Sequence, residues 1–142
     1  MQVRDGMSSV ILALGPGHTL REAARRMTEK GVGAAVVIDE ASPAPGIVSE
    51  RDILNSLGRG EDPDAETVGA HMSDSVIAAA PDWSLERAAM EMARRHIRHL
   101  VVVEGGELAG VLSMRDIVRC WTSEGATSGM SSPESEAEQS AA

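Results

Sequence analysis

The chain has 142 residues, 42% of them hydrophobic and 25% charged, with a formal net charge of −9. That length suits one compact domain or two small halves sharing a core, and the acidic balance excludes the basic stripe of a nucleic-acid-binding surface. No apolar run approaches the roughly 18–20 residues that span a bilayer, "VILAL" is too short for a signal-peptide core, and Cys120, the single cysteine, cannot form an intramolecular disulfide. A soluble, cytoplasmic protein with no membrane or nucleic-acid partner is expected.

In chain order, a short extended piece near residues 11–13 leads to a turn at Pro16, and Thr19 is placed as the N-cap of a helix. Leu20, Ala23, Ala24 and Met27 form that helix's apolar stripe, with Arg21, Glu22, Arg25 and Arg26 largely opposite. The run "AAVVI" reads as a buried strand, and a loop with Pro43 and Pro45 follows. A strand at Ile47 and Val48 then enters a helix that begins at Ser49. The same order returns: an extended piece near residues 76–78, an N-cap at Ser84, and a stripe of Leu85, Ala88, Ala89 and Met92. The strand "LVVVE", a turn at Gly105-Gly106 and a strand at Val111 and Leu112 come next, ahead of a helix from Ser113. Beyond Trp121 the segment "TSEGATSGMSSPESEAEQSAA" carries four Glu and no Lys or Arg, and is expected to be disordered and outside the fold. With only Trp83 and Trp121 as aromatics, the core must be aliphatic and Met.

The chain is an internal duplication. A shift of 65 places Val3, Met7 and Ser8 on Val68, Met72 and Ser73, and Pro16, Leu20, Ala23 and Met27 on Pro81, Leu85, Ala88 and Met92. After the loops the shift is 64, which lays "GIVSERDIL" (from Gly46) on "GVLSMRDIV" (from Gly110). The expected organisation is a first repeat over 1–60, a linker over 61–67, a second repeat over 68–121 and the acidic tail over 122–142. Each repeat reads β-α-β-β-α, an α/β unit too small to bury its sheet alone.

The repeated phrase has two readings. Ser with Asp three places on, before an apolar run, is a capping box. The same pair lies on one helix face, where a carboxylate can accept hydrogen bonds from a vicinal diol such as a ribose, and the preceding glycine lets another group pass close. Duplication copies a cap as readily as a site, so recurrence does not separate the two.

The order β-α-β-β-α twice, with G-hydrophobic-hydrophobic-S-x-x-D closing each half and "VRDGMSS" and "VGAHMSD" leading in, resembles the cystathionine-β-synthase (CBS) domain family in its tandem form, the Bateman module. The resemblance covers roughly residues 1–121. It implies two repeats packed through their sheets with pseudo-two-fold symmetry, and clefts between them for adenosine-containing ligands. The implied ribose-binding residues are Asp52 with Ser49 and Asp116 with Ser113. Gly46 and Gly110 would be cleft backbone. The Asp52 cleft would borrow from around Ala78 and from Arg98 and His99, and the Asp116 cleft from around Ala13 and from Gly33 and Ala34.

"IRHLVVV" (97–103) resembles the basic pair of nucleotide-binding members, in reversed order, whereas "VGAAVVI" (32–38) is uncharged. A phosphate needs cations or N–H donors. The Asp52 cleft, with Arg98 and His99, is therefore expected to take a phosphorylated ligand, and the Asp116 cleft a neutral adenosine moiety or nothing. Arg51 and Arg115, beside each Asp, read as solvent-facing, bridging an interface, or touching phosphate. Trp83 reads as covering an adenine edge or as a dimer contact.

His18, His71, His96 and His99 show no metal-liganding spacing, and no nucleophile, P-loop or dinucleotide motif is present, so neither metal nor catalysis is expected. Two functions remain. One is a regulatory module that senses AMP, ADP, ATP, S-adenosylmethionine or NAD(H), requires no cofactor, pairs as a homodimer and signals to an unidentified effector protein. The other is an interaction module that has lost its ligand.

Overall fold

The computed structural model describes residues 1–42, 44–74 and 76–127. The first half contains α1 (Val3–Gly6), β1 (Ala13–Leu14), α2 (Leu20–Lys30), β2 (Ala34–Val37), β3 (Gly46–Ser49) and α3 (Glu50–Gly58). The second half repeats the series as α4 (Val68–His71), β4 (Ala78–Ala79), α5 (Leu85–Arg95), β5 (His99–Glu104), β6 (Glu107–Ser113) and α6 (Met114–Thr127). Each half thus forms one three-stranded sheet, with its first strand parallel to the second and the third antiparallel.

Local chemistry sets the helix boundaries. The Thr19 and Ser84 hydroxyls accept from the backbone N–H groups of Glu22 and Arg87, which satisfies one free donor at the start of α2 and of α5. Both helices end on a left-handed residue, Gly31 (φ 66°) and its counterpart His96 (φ 57°). His96 is the one non-glycine with positive φ among the described residues, a conformation that costs an L-residue about 1 kcal/mol or more.

Two aliphatic cores result. Leu20, Ala23, Met27, Ala35, Val37, Val48 and Ile53 fill the first, and Leu85, Ala88, Met92, Leu100, Val102, Leu112 and Ile117 the second. Side chains alternate across a strand, so Val36 and Val101 point away from these helix-covered cores; both are nevertheless fully buried. The helix-free faces of the two sheets are covered by packing the halves together, with the pseudo-two-fold relation implied by the duplication.

The lead-in segments cross over. Val3 of α1 belongs to the second core, with Met7 packed against it, while Val68 of α4 belongs to the first, with Met72 against it. Ser8 pairs with Val111 of β6, and Ser73 pairs with Ile47 of β3. Further backbone bonds repeat the exchange at the Pro turns: Arg4 N–H donates to the Pro81 carbonyl, and Gly69 N–H to the Pro16 carbonyl, both at 2.9 Å. Each half is completed by the other's first residues.

Two expectations are corrected. Helix α6 continues to Thr127, past Trp121, so residues 122–127 join the fold; once a helix is nucleated each further residue adds a backbone bond at small cost, even without an apolar stripe. Residues 128–142 of the acidic tail lie outside the described residues. Gly46 and Gly110 line neither cleft described below. A Cβ on Gly110 would stand 2.6 Å from the Ser8 carbonyl oxygen, and one on Gly46 would stand 3.0 Å from that of Ser73. These glycines admit the crossing lead-in strands.

Gly110→Ala is therefore expected to lower stability by about 1–3 kcal/mol. Gly17→Ala, where an added Cβ meets nothing within 4 Å, should stay within about 0.5 kcal/mol of the parent. Urea unfolding midpoints check this, and equal midpoints would contradict the crossing as the glycine's role.

Candidate functional site: two clefts between the repeats

Ser49 and Asp52 form a complete capping box at the start of α3. The Asp52 Oδ2 accepts from the Ser49 backbone N–H at 2.7 Å and from the Ser49 hydroxyl at 3.1 Å. The same box opens α6: Asp116 Oδ2 accepts from Ser113 N–H at 2.9 Å, and Ser113 Oγ accepts from Asp116 N–H at 3.0 Å. The second carboxylate oxygens differ. Asp52 Oδ1 has no hydrogen-bond partner among the described residues, whereas Asp116 Oδ1 accepts from the Arg119 guanidinium at 3.0 Å. Arg119 falls on Asn55 in the first half, so this ion pair has no counterpart there.

Each box stands in the wall of a cleft whose opposite wall comes from the other repeat. The first cleft, about 480 Å³, brings Ser49, Arg51 and Asp52 opposite Arg98 and His99, with Ser73, Asp74, Val76, Ile77 and the Arg95–Ile97 turn around them. The second, about 600 Å³, brings Ser113, Arg115, Asp116 and Arg119 opposite Gly33 and Ala34, with Ser8, Val10 and Leu12. Volumes of this size fall within the range of small-molecule sites. Strand register fixes the facing residues: Ala34 pairs with Ser49 and His99 with Ser113. The Gly33 carbonyl accepts from Glu50 N–H at 2.9 Å, and the Arg98 carbonyl from Met114 N–H at 2.8 Å.

Ser49, Asp52, Ser113, Asp116, Arg98, His99, Gly33 and Ala34 therefore all line clefts, in the cross-repeat arrangement expected. Ala13 and Ala78 do not. β1 and β4 begin only at these residues, so the extended segments ahead of them, through Val10 and Leu12 and through Val76 and Ile77, form the walls instead. The charge expectation is also corrected. The Asp116 cleft holds Arg98, Arg115 and Arg119, because its cations come from its own helix and because Arg98 reaches both clefts. Reading only the facing strand missed them, although Arg119 is three residues beyond Asp116 on one helix face. Glu50, a cleft residue that no motif flagged, lines both clefts beside Arg98 and His99.

His99 lies where the clefts meet. Burial pushes its pKa below the ordinary histidine value, Glu50 and Asp116 pull it up, and Arg115 and Arg98 reinforce the depression. Away from the clefts, the fold gathers Glu61, Glu66 and His71, whose possible metal-ligand atoms lie within 4.8 Å of one another. Sequence spacing gave no sign of this group. Its atoms already have partners: His71 Nε2 meets Glu66 Oε1 at 2.7 Å, and Glu61 Oε1 accepts from Ser56 Oγ and from Arg59. It clamps the linker to the end of α3, where Ser56 is buried.

The CBS domain family model matches residues 2–59 and again 67–122. The chain belongs to the CBS domain family. Among relatives of this CBS pair, the CBS domain-containing protein YhcV of Bacillus subtilis is 32% identical over 116 residues, 81% of each chain. Among solved structures, the hexameric CBS-CP12 protein from bloom-forming cyanobacteria superposes with a TM-score of 0.79 at 27% identity, covering 83% of this chain and 69% of that one. The CBS domain pair of MJ0100, solved in complex with 5′-methylthioadenosine and S-adenosyl-L-methionine, gives 0.77 at 22% identity, covering 87% and 98%. No helix among the described residues is long and apolar enough to cross a membrane.

A folded-state pKa below the unfolded value means that the unfolded chain binds more protons in the interval between them, so stability is lost as pH falls. The native state should lose stability as pH drops below about 6.5, and His99→Gln should lose less over the same interval. Chemical denaturation of both proteins between pH 7.5 and 5 checks this; parallel curves would contradict a half-buried His99 whose pKa is held below its ordinary value.

Proposed function

We propose that this CBS pair is a regulatory binding module that takes an adenosine-containing ligand in its inter-repeat clefts and passes the occupancy to a separate effector protein. The carrying observation is the placing of each Ser–Asp pair, already fixed by its capping box, in a cleft wall that faces the other repeat. A ribose diol would donate to Asp52 or Asp116, with Ser49 or Ser113 beside it, and the base would lie against the aliphatic walls, Ile47, Val76 and Ile77 in one cleft and Val10, Leu12 and Val111 in the other. A ligand spanning both walls binds one arrangement of the halves better than others, and that difference is what an effector can read. AMP, ADP, ATP, S-adenosylmethionine and NAD(H) all carry the adenosine that this geometry suits. MJ0100, which shares the fold, holds two adenosine derivatives.

We also propose a homodimer formed through α3 and α6. Leu54 and Leu57 on α3 are 67% and 48% exposed, and their repeat counterparts Val118 and Trp121 on α6 are 52% and 42% exposed. Four large apolar side chains at equivalent positions make a paired face of the kind that covers itself on association.

An interaction module without a ligand is the competing reading. It is favoured by the carboxylates' structural work, since capping engages both and Arg119 further engages Asp116.

Thermal unfolding of the full chain with each ligand separates the two. A ligand at 100 times its Kd adds about 2.7 kcal/mol, a rise of roughly 8–14 °C for a chain of this size. Asp52→Ala and Asp116→Ala will each lower the starting Tm through the lost cap, so the ligand-induced shift is the quantity to compare. A shift reduced by either variant supports the sensor, and no shift with any ligand supports the interaction module. For the dimer, the parent should sediment at twice the 14.9 kDa chain mass and Leu54→Glu/Val118→Glu at that mass; a monomeric parent or an unchanged variant would contradict this interface.

A further inference from the structure

One cluster of ligating side chains takes no part in the adenosine-binding reading. Glu61 and Glu66 of the linker and His71 at the end of α4 bring two carboxylates and an imidazole within 4.8 Å of one another, the one such group of three among the described residues. None of the three lines either cleft. The His71 side chain is only 10% exposed, and its Nε2 lies 2.7 Å from Glu66 Oε1 and 3.9 Å from Glu61 Oε1. The second oxygen of each glutamate has no hydrogen-bond partner among the described residues. Duplication does not account for the group: at a shift of 65, His71 and Glu66 fall on Gly6 and Met1, neither of which offers an imidazole or a carboxylate.

Backbone bonds from separate segments hold the three residues in place. Glu61 N–H donates to the Ser56 carbonyl at 3.1 Å, Glu66 N–H to that of Asp62 at 2.9 Å, and Val68 N–H, at the start of α4, to that of His18 at 2.8 Å. The buried Ser56 hydroxyl donates to Glu61 Oε1 at 2.8 Å, a hydrogen bond of the kind that orients a ligating carboxylate.

We infer that Glu61, Glu66 and His71 form a site for one divalent transition-metal cation of the Zn2+ class, which ties the linker to α4. An imidazole suits such cations, whereas Mg2+ and Ca2+ take oxygen ligands. Three protein ligands leave a fourth position for water. Tetrahedral bonds of about 2.0–2.2 Å set ligand atoms roughly 3.3–3.5 Å apart, between the two separations that His71 Nε2 makes with the glutamates. An ionised carboxylate only accepts hydrogen bonds, so Nε2 carries the proton in the Glu66 pair. The cation takes that proton's place, and the proton leaves to solvent. Arg59, whose side chain is 56% exposed, can turn from Glu61 Oε1 to water. Ser73, two residues past His71, lines the Asp52 cleft, so a bound cation steadies the segment that supplies that wall.

Calorimetric titration of the full chain with ZnCl2 and, separately, with MgCl2 and CaCl2 tests this, after treatment with a chelator that is then removed. The expected result is one Zn2+ per chain, bound more tightly than Mg2+ or Ca2+ and weakened at least about 10-fold by Glu61→Gln and by His71→Gln. Glu61→Gln keeps an oxygen that accepts from Ser56, so it tests the site even where His71→Gln unsettles the fold. Zn2+ at 100 times its Kd should raise the Tm of the parent by roughly 8–14 °C and that of Glu61→Gln by far less. No Zn2+ binding by the folded chain would overturn the site. So would binding that Glu61→Gln leaves intact, which marks an adventitious ion only, or an equal affinity for Mg2+.

Discussion

The close passage of one repeat's lead-in strand over the other repeat's glycine is the constraint on which the remaining structure rests. Ser8 bridges to Val111 next to Gly110, and Ser73 bridges to Ile47 next to Gly46, with the Met side chains of both lead-ins against those glycines. At neither glycine is there room for a Cβ without displacing backbone. The crossing inserts Val3 into the second core and Val68 into the first. A half alone would leave its sheet's second face bare and its helix core short of a buried valine, so the pair behaves as one unit although its sequence is two. The same crossing brings Ser8 into the lining of the Asp116 cleft and Ser73 into that of the Asp52 cleft, which makes the cleft walls a consequence of how the halves close.

Each repeated Ser-x-x-Asp both caps its helix and lines a cleft. One carboxylate oxygen caps the helix, a contribution of about 1 kcal/mol, and this fixes where the other oxygen points. Capping thus leaves the second oxygen of Asp52 unengaged among the described residues, and that of Asp116 paired with Arg119. The repeats have since diverged at the positions that set cleft chemistry. Glu50 stands where the second half has Met114, Gly33 where it has Arg98, Ala34 where it has His99, and Asn55 where it has Arg119. The symmetric skeleton supplies two equivalent Ser–Asp pairs in cleft walls, and these four differences give the clefts different electrostatics.

Much of this was legible in the residues. The duplication, the N-caps at Thr19 and Ser84, the apolar stripes and the strand order follow from local spacing, and the cross-repeat pairing of Asp52 with Arg98-His99 and of Asp116 with Gly33-Ala34 followed from the family resemblance. Three features were not legible, each for a physical reason. Gly46 and Gly110 looked like ligand approaches because a glycine reports only that something passes close, and here the neighbour is backbone 27 to 102 residues away. The charge of the Asp116 cleft was misjudged because it depends on Arg115 and Arg119 projecting from the cleft's own helix and on Arg98 lying where the clefts meet, and a single strand's composition contains neither fact. The extension of α6 to Thr127 was hidden because backbone hydrogen bonding carries a helix beyond its apolar stripe.

The central claim is that an adenosine ligand contacts both repeats at once across a cleft. Amide chemical-shift mapping of the uniformly 15N-labelled full chain during titration with AMP tests it most directly. The account predicts coincident shifts at a Ser–Asp pair in one repeat and at the facing residues of the other, Arg98 and His99 for Asp52 or Gly33 and Ala34 for Asp116, saturating along a single binding curve. Shifts confined to one repeat, or none at either Ser–Asp pair in the folded protein, would contradict it.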